Sequence, residues 1–330
     1  MDWSSILSDA ARSAIGLETV IYGLAAIGLN VQFGYAGLLN FGQAAFVAIG
    51  AYGLAITVTV AGFPFFVGLA VGLVGAVLLA VLLGIPTLRL RADYLAIATI
   101  AAAEIVRLVV RSSTLREQTG GSSGLTGFAE GFYALNPLPR DTYGFGPWQF
   151  SERLTWILLV GWVLVALSCL VVFLLMRSPW GRVLKGIRED EDAVRSLGKN
   201  VYAYKMQALV LGGVIGALAG FVFAVGRASV QPDLYGTELT FFVYTVLLLG
   251  GAARVFGPVV GAAIFWVVLS LTQGVLVNMV NAGYMPSWLM TSTQVGQFRF
   301  MLVGLALMLL MIYRPQGIFG DRRELAIDAR

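Results

Sequence analysis

The chain has 330 residues, 58% of them apolar and 12% charged, with 40 glycines, a net charge of +4, one cysteine and no histidine. Soluble domains carry about 25% charged residues, so the composition excludes a water-soluble protein. It also excludes histidine-based triads, histidine metal sites and cysteine-rich metal ligation.

The start, MDWSSILSDAARS, has no basic n-region and carries Asp2 and Asp9, so it reads as a short amphipathic lead-in at the interface rather than a signal peptide. Hydrophobic windows then follow at 14–33, 36–58, 64–85, 94–111, 154–176, 205–227, 239–253, 256–281 and 297–313. A span needs roughly 20 apolar residues, so the expected fold is an all-α integral membrane protein, a polytopic bundle of about eight to ten membrane segments with glycine-rich broken helices. Window 239–253 is short and reads as a tilted span or a re-entrant half-helix. The glycines suit close helix packing, because apolar side chains gain little by leaving lipid. Cys169 lies inside an apolar window and reads as simple packing.

Residues 1–320 form one membrane domain and 321–330 a cytoplasmic tail. Arg89 and Arg91, the island 177–205, and Arg314, Arg322, Arg323 and Arg330 mark the cytoplasmic side by the positive-inside rule. The polar stretch 112–153, with three Arg and four Asp/Glu, then falls outside, and nine spans would put the N-terminus outside as well. These basic residues set topology and do not point to nucleic acid.

Polar groups inside the apolar windows are few. Asn30, Gln32, Asn40 and Gln43 flank a break at Gly34-Tyr35-Ala36-Gly37. Gly34, Gly37 and Gly42 let the backbone leave regular helix, and freed backbone groups must face protein or a water-lined cavity. Asn40 and Gln43 could then meet a neutral or zwitterionic solute on a translocation path, or this stretch could be a packing seam. Both readings stay open. Phe41-Gly42 before one apolar window and Phe256-Gly257 before another form a faint internal echo, as paired broken segments in a transporter would. Glu104 and Arg107 lie at helical spacing and read as an ion pair near the external surface. Thr245 and Gln273 are further candidates. Buried carboxylates are scarce, which argues against ion coupling. No G-x-x-x-x-G-K-[ST] run occurs, so an ATP site, if used, belongs to another subunit.

The island reads RSPWGRVLKGIREDEDAVRSLGKNVYAYK, with seven Lys/Arg and four Asp/Glu. Trp180, Val183, Leu184 and Ile187 share one helical face. Glu189, Asp190, Glu191 and Asp192 suit a helix N-terminus. Ala193, Val194 and Leu197 follow on one face, and Gly198 stands where a helix stops. Two short amphipathic helices that plug into a soluble cytoplasmic partner fit this pattern.

GLNVQFGYAGLLNFGQAAFVAIGAY (28–52), LRADYLAIATIAAAEIVRLVV (90–110), TGGSSGLTG (119–127), SPWGRVLKGIREDEDAVRSLGKNVYAYKMQALVLGG (178–213) and LLLGGAARVFGPVVGA (247–262) together resemble the LivM-like permease subunits of branched-chain amino-acid ABC importers. Ala92 and Ala253 stand where that family often has Gly, and Gln43 where many members have His. The resemblance implies a bacterial inner-membrane importer. A homologous second permease would pair with this chain, and two ATPase subunits would bring ATP and Mg. An external binding protein would deliver the solute. The chain itself would hold no cofactor and perform no catalysis. Arg188 to Gly198 would be the core of the coupling helix, and Arg116, Glu117, Arg140 and Asp141 of the outer loop would meet the binding protein. Importers of urea, short-chain amides or aromatic compounds share the fold, and a self-sufficient carrier or channel is the reading from a different class.

Overall fold

Every apolar window becomes a helix in the computed structural model, which describes residues 3–90, 92–145, 148–282, 294–313 and 317–320. In chain order these are α1 (Trp3–Ala14), α2 (Leu17–Leu29), α3 (Gln43–Thr59), α4 (Phe65–Thr87), α5 (Ala92–Arg111), the single turns α6 (Arg116–Thr119) and α7 (Glu130–Tyr133), and α8 (Glu152–Arg177). The island follows as α9 (Pro179–Glu189) and α10 (Glu191–Ser196), then α11 (Val201–Arg227), α12 (Thr237–Gly250), α13 (Gly257–Asn281) and α14 (Val295–Tyr313). Five helical runs, Trp3–Tyr35, Phe65–Thr87, Glu152–Arg177, Val201–Arg227 and Gly257–Asn281, are long and apolar enough to cross a bilayer. The protein is an all-α, multi-pass membrane bundle. Arg91, Arg314, Arg322, Arg323, Arg330 and the tail 321–330 lie outside the described residues.

Two of the apolar helices, α3 and α12, are short, at 17 and 14 residues. Each adjoins a break. A π-helical stretch, Asn30–Tyr35, extends α2, and residues 36–42 are irregular. Window 36–58 therefore becomes helical only at Gln43. The second break separates α12 from α13 at residues 251–256. Both Phe-Gly pairs stand where a helix restarts after a break.

The central pillar is α2, with every residue from Thr19 to Leu29 buried. Around it pack α8, α11, α12 and α13. A close approach to α11 lies at Gly28 and Gly212, where a Cβ on either would land on the other's carbonyl oxygen. Small residues let these backbones come this close without any hydrophobic drive between helices. The outer faces are the reverse of a soluble core: Val71, Val74, Leu78, Leu82 and Ile85 of α4 and Leu159, Val163, Leu167, Leu170 and Leu174 of α8 are exposed stripes. Such stripes belong against lipid.

Helix α1 buries Ile6 and Ala10 and leaves Trp3 and Leu7 exposed, as an amphipathic lead-in should. It packs along α13, with Ile6 over Gly274 and Ser13 Oγ donating to Trp266 O at 3.2 Å.

The polar stretch 112–153 is a packed cap rather than an open loop. Strand β1 (Leu125–Thr126) pairs antiparallel with β4 (Ser229–Val230), just after α11, and β2 (Thr142–Phe145) pairs with β3 (Trp148–Ser151). Phe128 and Phe132 are buried beneath it, Phe132 against Phe65, Trp156 and Phe221. Glu18 pairs with Arg227 at 2.7 Å, so the start of α2 and the cap lie at one end of the bundle, opposite the island.

Replacing Gly28 with Val should overpack the α2–α11 crossing, at a cost of about 1–3 kcal/mol. The midpoint of thermal unfolding in detergent should fall, whereas Gly304→Ala, where an added Cβ meets nothing within 4 Å, should leave it unchanged. Equal midpoints for the two variants would refute the close crossing.

Candidate functional site

Inside a membrane, a backbone that leaves the helix must find its hydrogen-bond partners in protein. At the first break Gly37 N, Leu38 N and Asn40 N bond backbone carbonyls, and side chains supply further partners. Asn40 Nδ2 donates to Gln32 Oε1 at 2.7 Å, Gly42 N donates to Asn40 Oδ1 at 2.8 Å, and Tyr244 OH donates to Asn40 O at 3.0 Å. Gln32 Nε2 in turn donates to Leu209 O of α11 at 3.1 Å. Phe41 N donates to Thr99 Oγ1 of α5 at 3.0 Å. Gly42 has no side chain to cap α3, and Thr240 of α12 supplies the acceptor, at 2.9 Å from Ala44 N. Gln43 Nε2 reaches Ala25 O at 3.2 Å.

Of the residues predicted for a translocation path, Asn40 and Gln43 are both 0% exposed. In this conformation neither amide offers surface that a solute could touch; Asn40 holds the break in shape, whereas Gln43 bonds carbonyls of α2 and α11 and leaves its buried Oε1 without a partner. Gly34 and Gly42 are covered too. Gly37, with φ +68°, is exposed, and Leu39 and Phe41 are half-buried.

Asn30 joins the two breaks. Its Oδ1 accepts from Ala253 N at 2.9 Å, and its Nδ2 donates to Arg254 O at 2.8 Å. Ala253 adopts φ +60°, a left-handed conformation that glycine takes without steric cost. This accounts for the glycine expected at that position from the sequence resemblance.

The island folds as two helices. Asp190 Oδ1 accepts from Ala193 N at 2.9 Å and caps α10. Gly198, at φ +76°, ends it with Gly198 N donating to Arg195 O and Lys199 N to Val194 O, the double bond pattern of a Schellman stop. Leu184 and Ile187 are buried, with Trp180 and Val183 half-buried beside them. The face expected for Ala193, Val194 and Leu197 is split. Val194 packs inward against Gly186, while Ala193 is exposed and Leu197 is 79% exposed. Leu197 stands as the C-terminal cap residue, one beyond the last helical residue Ser196. Glu191 is held by Arg195 at 2.8 Å and by Lys205, and Asp192 by Arg195 at 2.8 Å; Glu189 stays exposed.

Arg188 carries the link that sequence reasoning missed. Its Nη1 donates to Gly34 O at 2.6 Å, and its stem lies against Gly37. The island is thereby bonded to the first break. No periodicity signals this contact across 154 residues.

At the opposite end, Glu104 accepts from Arg107 Nε at 2.9 Å, the ion pair expected from the spacing. Asp233 joins it, 2.9 Å from Arg107 and 3.1 Å from Arg111. In the cap, Arg116 and Glu117 are exposed on α6, and Arg140 and Asp141 are exposed just before β2. The two pairs occupy separate parts of the cap. Thr245 is half-buried, and Gln273 Oε1 accepts from Arg299.

A bundle with lipid-facing stripes, two broken helices tied together at their breaks, and a charged helix pair bonded to one of them is a multi-pass membrane protein of the broken-helix kind. A family model for the permease component of branched-chain amino acid transport systems matches residues 13–312, and the chain belongs to that family. It is 32% identical to the high-affinity branched-chain amino acid transport system permease protein LivM of Escherichia coli K12, over 92% of this chain and 69% of that one. The probable LivM of Methanocaldococcus jannaschii is 25% identical over 92% of this chain and 91% of its own length. The permease protein LivH of the Salmonella typhimurium high-affinity branched-chain amino acid system is 23% identical over 77% and 82%.

Asn30→Ala should leave the buried Ala253 N without its acceptor, at about 1–3 kcal/mol, and lower the thermal midpoint. Ala253→Gly should relieve left-handed strain of about 1–2 kcal/mol, partly offset by about 0.4–1 kcal/mol from a freer unfolded chain. A small rise in midpoint is expected, and a clear drop would show that the turn is not held as described.

Proposed function

We propose that this chain is the membrane-spanning subunit of an ABC importer for branched-chain, hydrophobic amino acids in a bacterial inner membrane. Its substrate class follows its relatives, whose names specify branched-chain amino acid transport. Likeness to both LivM and LivH proteins supports pairing with a homologous second permease. The island end lies in the cytoplasm, as its seven Lys/Arg favour. The cap lies outside and receives a solute-binding protein, with Arg116, Glu117, Arg140 and Asp141 as contact candidates. The solute path runs beside the first break, where Gly34, Gly37, Asn40, Gly42 and Gln43 shape the wall.

ATPase subunits, carrying ATP and Mg, dock on α9 and α10, with Arg188, Glu189, Asp190, Glu191, Asp192, Ala193, Val194, Leu197 and Gly198 forming or supporting the surface. One observation carries this reading. Arg188 leaves an exposed helix and bonds the backbone of the first break, so displacement of α9 by a docked ATPase moves the path wall. Leu197 is the apolar residue presented outward, while Val194 holds α10 to α9.

Reconstitution of this chain with its second permease, ATPase subunits and binding protein tests the proposal by ATP-driven uptake of labelled leucine. Leu197→Asp should weaken ATPase docking by tenfold or more, since an apolar anchor at such an interface is worth about 2 kcal/mol, without lowering the thermal midpoint. Arg188→Ala should cut uptake while ATPase subunits still bind. Leucine uptake by this chain without ATPase subunits, or full uptake by both variants, would sink the reading.

A further inference from the structure

A groove of about 600 Å³ lies at the island end of the bundle, where α8 meets α9 and the second break. Arg177, the last residue of α8, Lys185 of α9 and Arg254 of the break line it. No acidic side chain is among its described lining residues. Its walls are apolar and aromatic. The Arg177 guanidinium lies 4.1 Å from the centre of the Phe173 ring, and Lys185 Nζ lies 6.0 Å from that of Tyr35. Phe256 is 64% exposed at the rim.

The groove opens below a lipid-facing stripe. Leu167, Leu170 and Leu174 are exposed on α8, and their spacing carries the same face down to Arg177. An occupant must therefore present negative charge to Arg177 and Lys185 and a hydrocarbon chain to the leucines above them. A free anion satisfies only the first demand, and a soluble protein surface has no reason to meet the second. Basic pockets between membrane helices on the cytoplasmic side suit acidic lipid headgroups.

We propose that this groove binds an anionic phospholipid, with the phosphate between Arg177 and Lys185 and an acyl chain along the α8 stripe. The proposal rests on the island end lying in the cytoplasm, and is independent of the transport reading. It has a consequence for that reading. Lys185 lies one turn before Arg188 on α9, and Tyr35 closes the π-helical stretch of the first break. A bound headgroup pins both sides of the Arg188–Gly34 bond.

Native mass spectrometry of the full chain in detergent, with added phosphatidylglycerol or phosphatidylcholine, tests this. Wild type should retain phosphatidylglycerol about twenty-five-fold better, since each of the two basic side chains near an acidic lipid contributes about a factor of five. The double variant Arg177→Gln/Lys185→Gln, which keeps only Arg254 at the groove, should lose most of the preference. Arg177→Lys/Lys185→Arg, which keeps the charge, should retain the preference. Arg182→Gln/Lys199→Gln removes two exposed cations outside the groove and should retain it too. Persistence of the preference in Arg177→Gln/Lys185→Gln, or equal loss in Arg182→Gln/Lys199→Gln, overturns the site. Competition by acyl-free glycerophosphoglycerol as effective as by the lipid also overturns it, in favour of a simple anion site. Thermal midpoints of all variants identify any that fail to fold, and Lys185→Gln alone, at an exposed position, then serves as the reporting variant through a partial loss of preference.

Discussion

The constraint on which this structure turns is that a peptide group outside a helix cannot be left to face lipid. The chain breaks two helices and satisfies both breaks from within. One side chain, Asn30, spans them, accepting from Ala253 N and donating to Arg254 O. An amide is the group that can do this, because it offers a donor and an acceptor without carrying charge. Asp in its place would accept but could not donate, and would bring a buried charge. The neighbouring Gln32–Asn40 pair does the same within the first break, and Thr99 and Thr240 complete it from α5 and α12. The breaks are thus rigidly supported features of the core.

That support divides labour between the ends of the bundle. At the cap end, charges are matched in place: Glu104 and Asp233 with Arg107, Asp233 with Arg111, Glu18 with Arg227. At the island end Arg195 and Lys205 are matched to Glu191 and Asp192, and one further cation, Arg188, bonds a backbone carbonyl. The Arg188–Gly34 bond is charge-assisted and stronger than a neutral one, and it joins a solvent-exposed helix to a buried irregular stretch. Close packing at Gly28 and Gly212 holds α2 against α11 beside that stretch.

Most of the architecture was legible from residues alone. The apolar windows become helices, Glu104 and Arg107 pair, and Asp190 and Gly198 bound α10, because each depends on local spacing that a linear pattern records. The long-range bonds were not legible. Nothing around Asn30 says that its partners lie at 253 and 254, and nothing around Arg188 points to Gly34. Thr99 and Thr240 look like ordinary small residues on apolar helices until their hydroxyls are seen to accept backbone protons. The split of Val194 from Leu197 was missed for a different reason: a three-residue face assumes helical geometry to its last member, and the chain stops one residue early. For Asn40 and Gln43, composition could not say whether an uncharged polar group faces a solute or a neighbouring backbone. Burial answers for this conformation.

The separation between Asn30 and Ala253, 223 residues, has a consequence for how the protein is made. Chains emerge from the ribosome at about 5–20 residues per second, so Asn30 waits roughly 10–45 s for its partner to exist. During that interval the amide has no native acceptor for its protons, and the central pillar of the bundle is not yet fit for a dry interior. The bonds that join the two breaks therefore form only once the C-terminal half has been made, although the most buried helix is among the first to be synthesised.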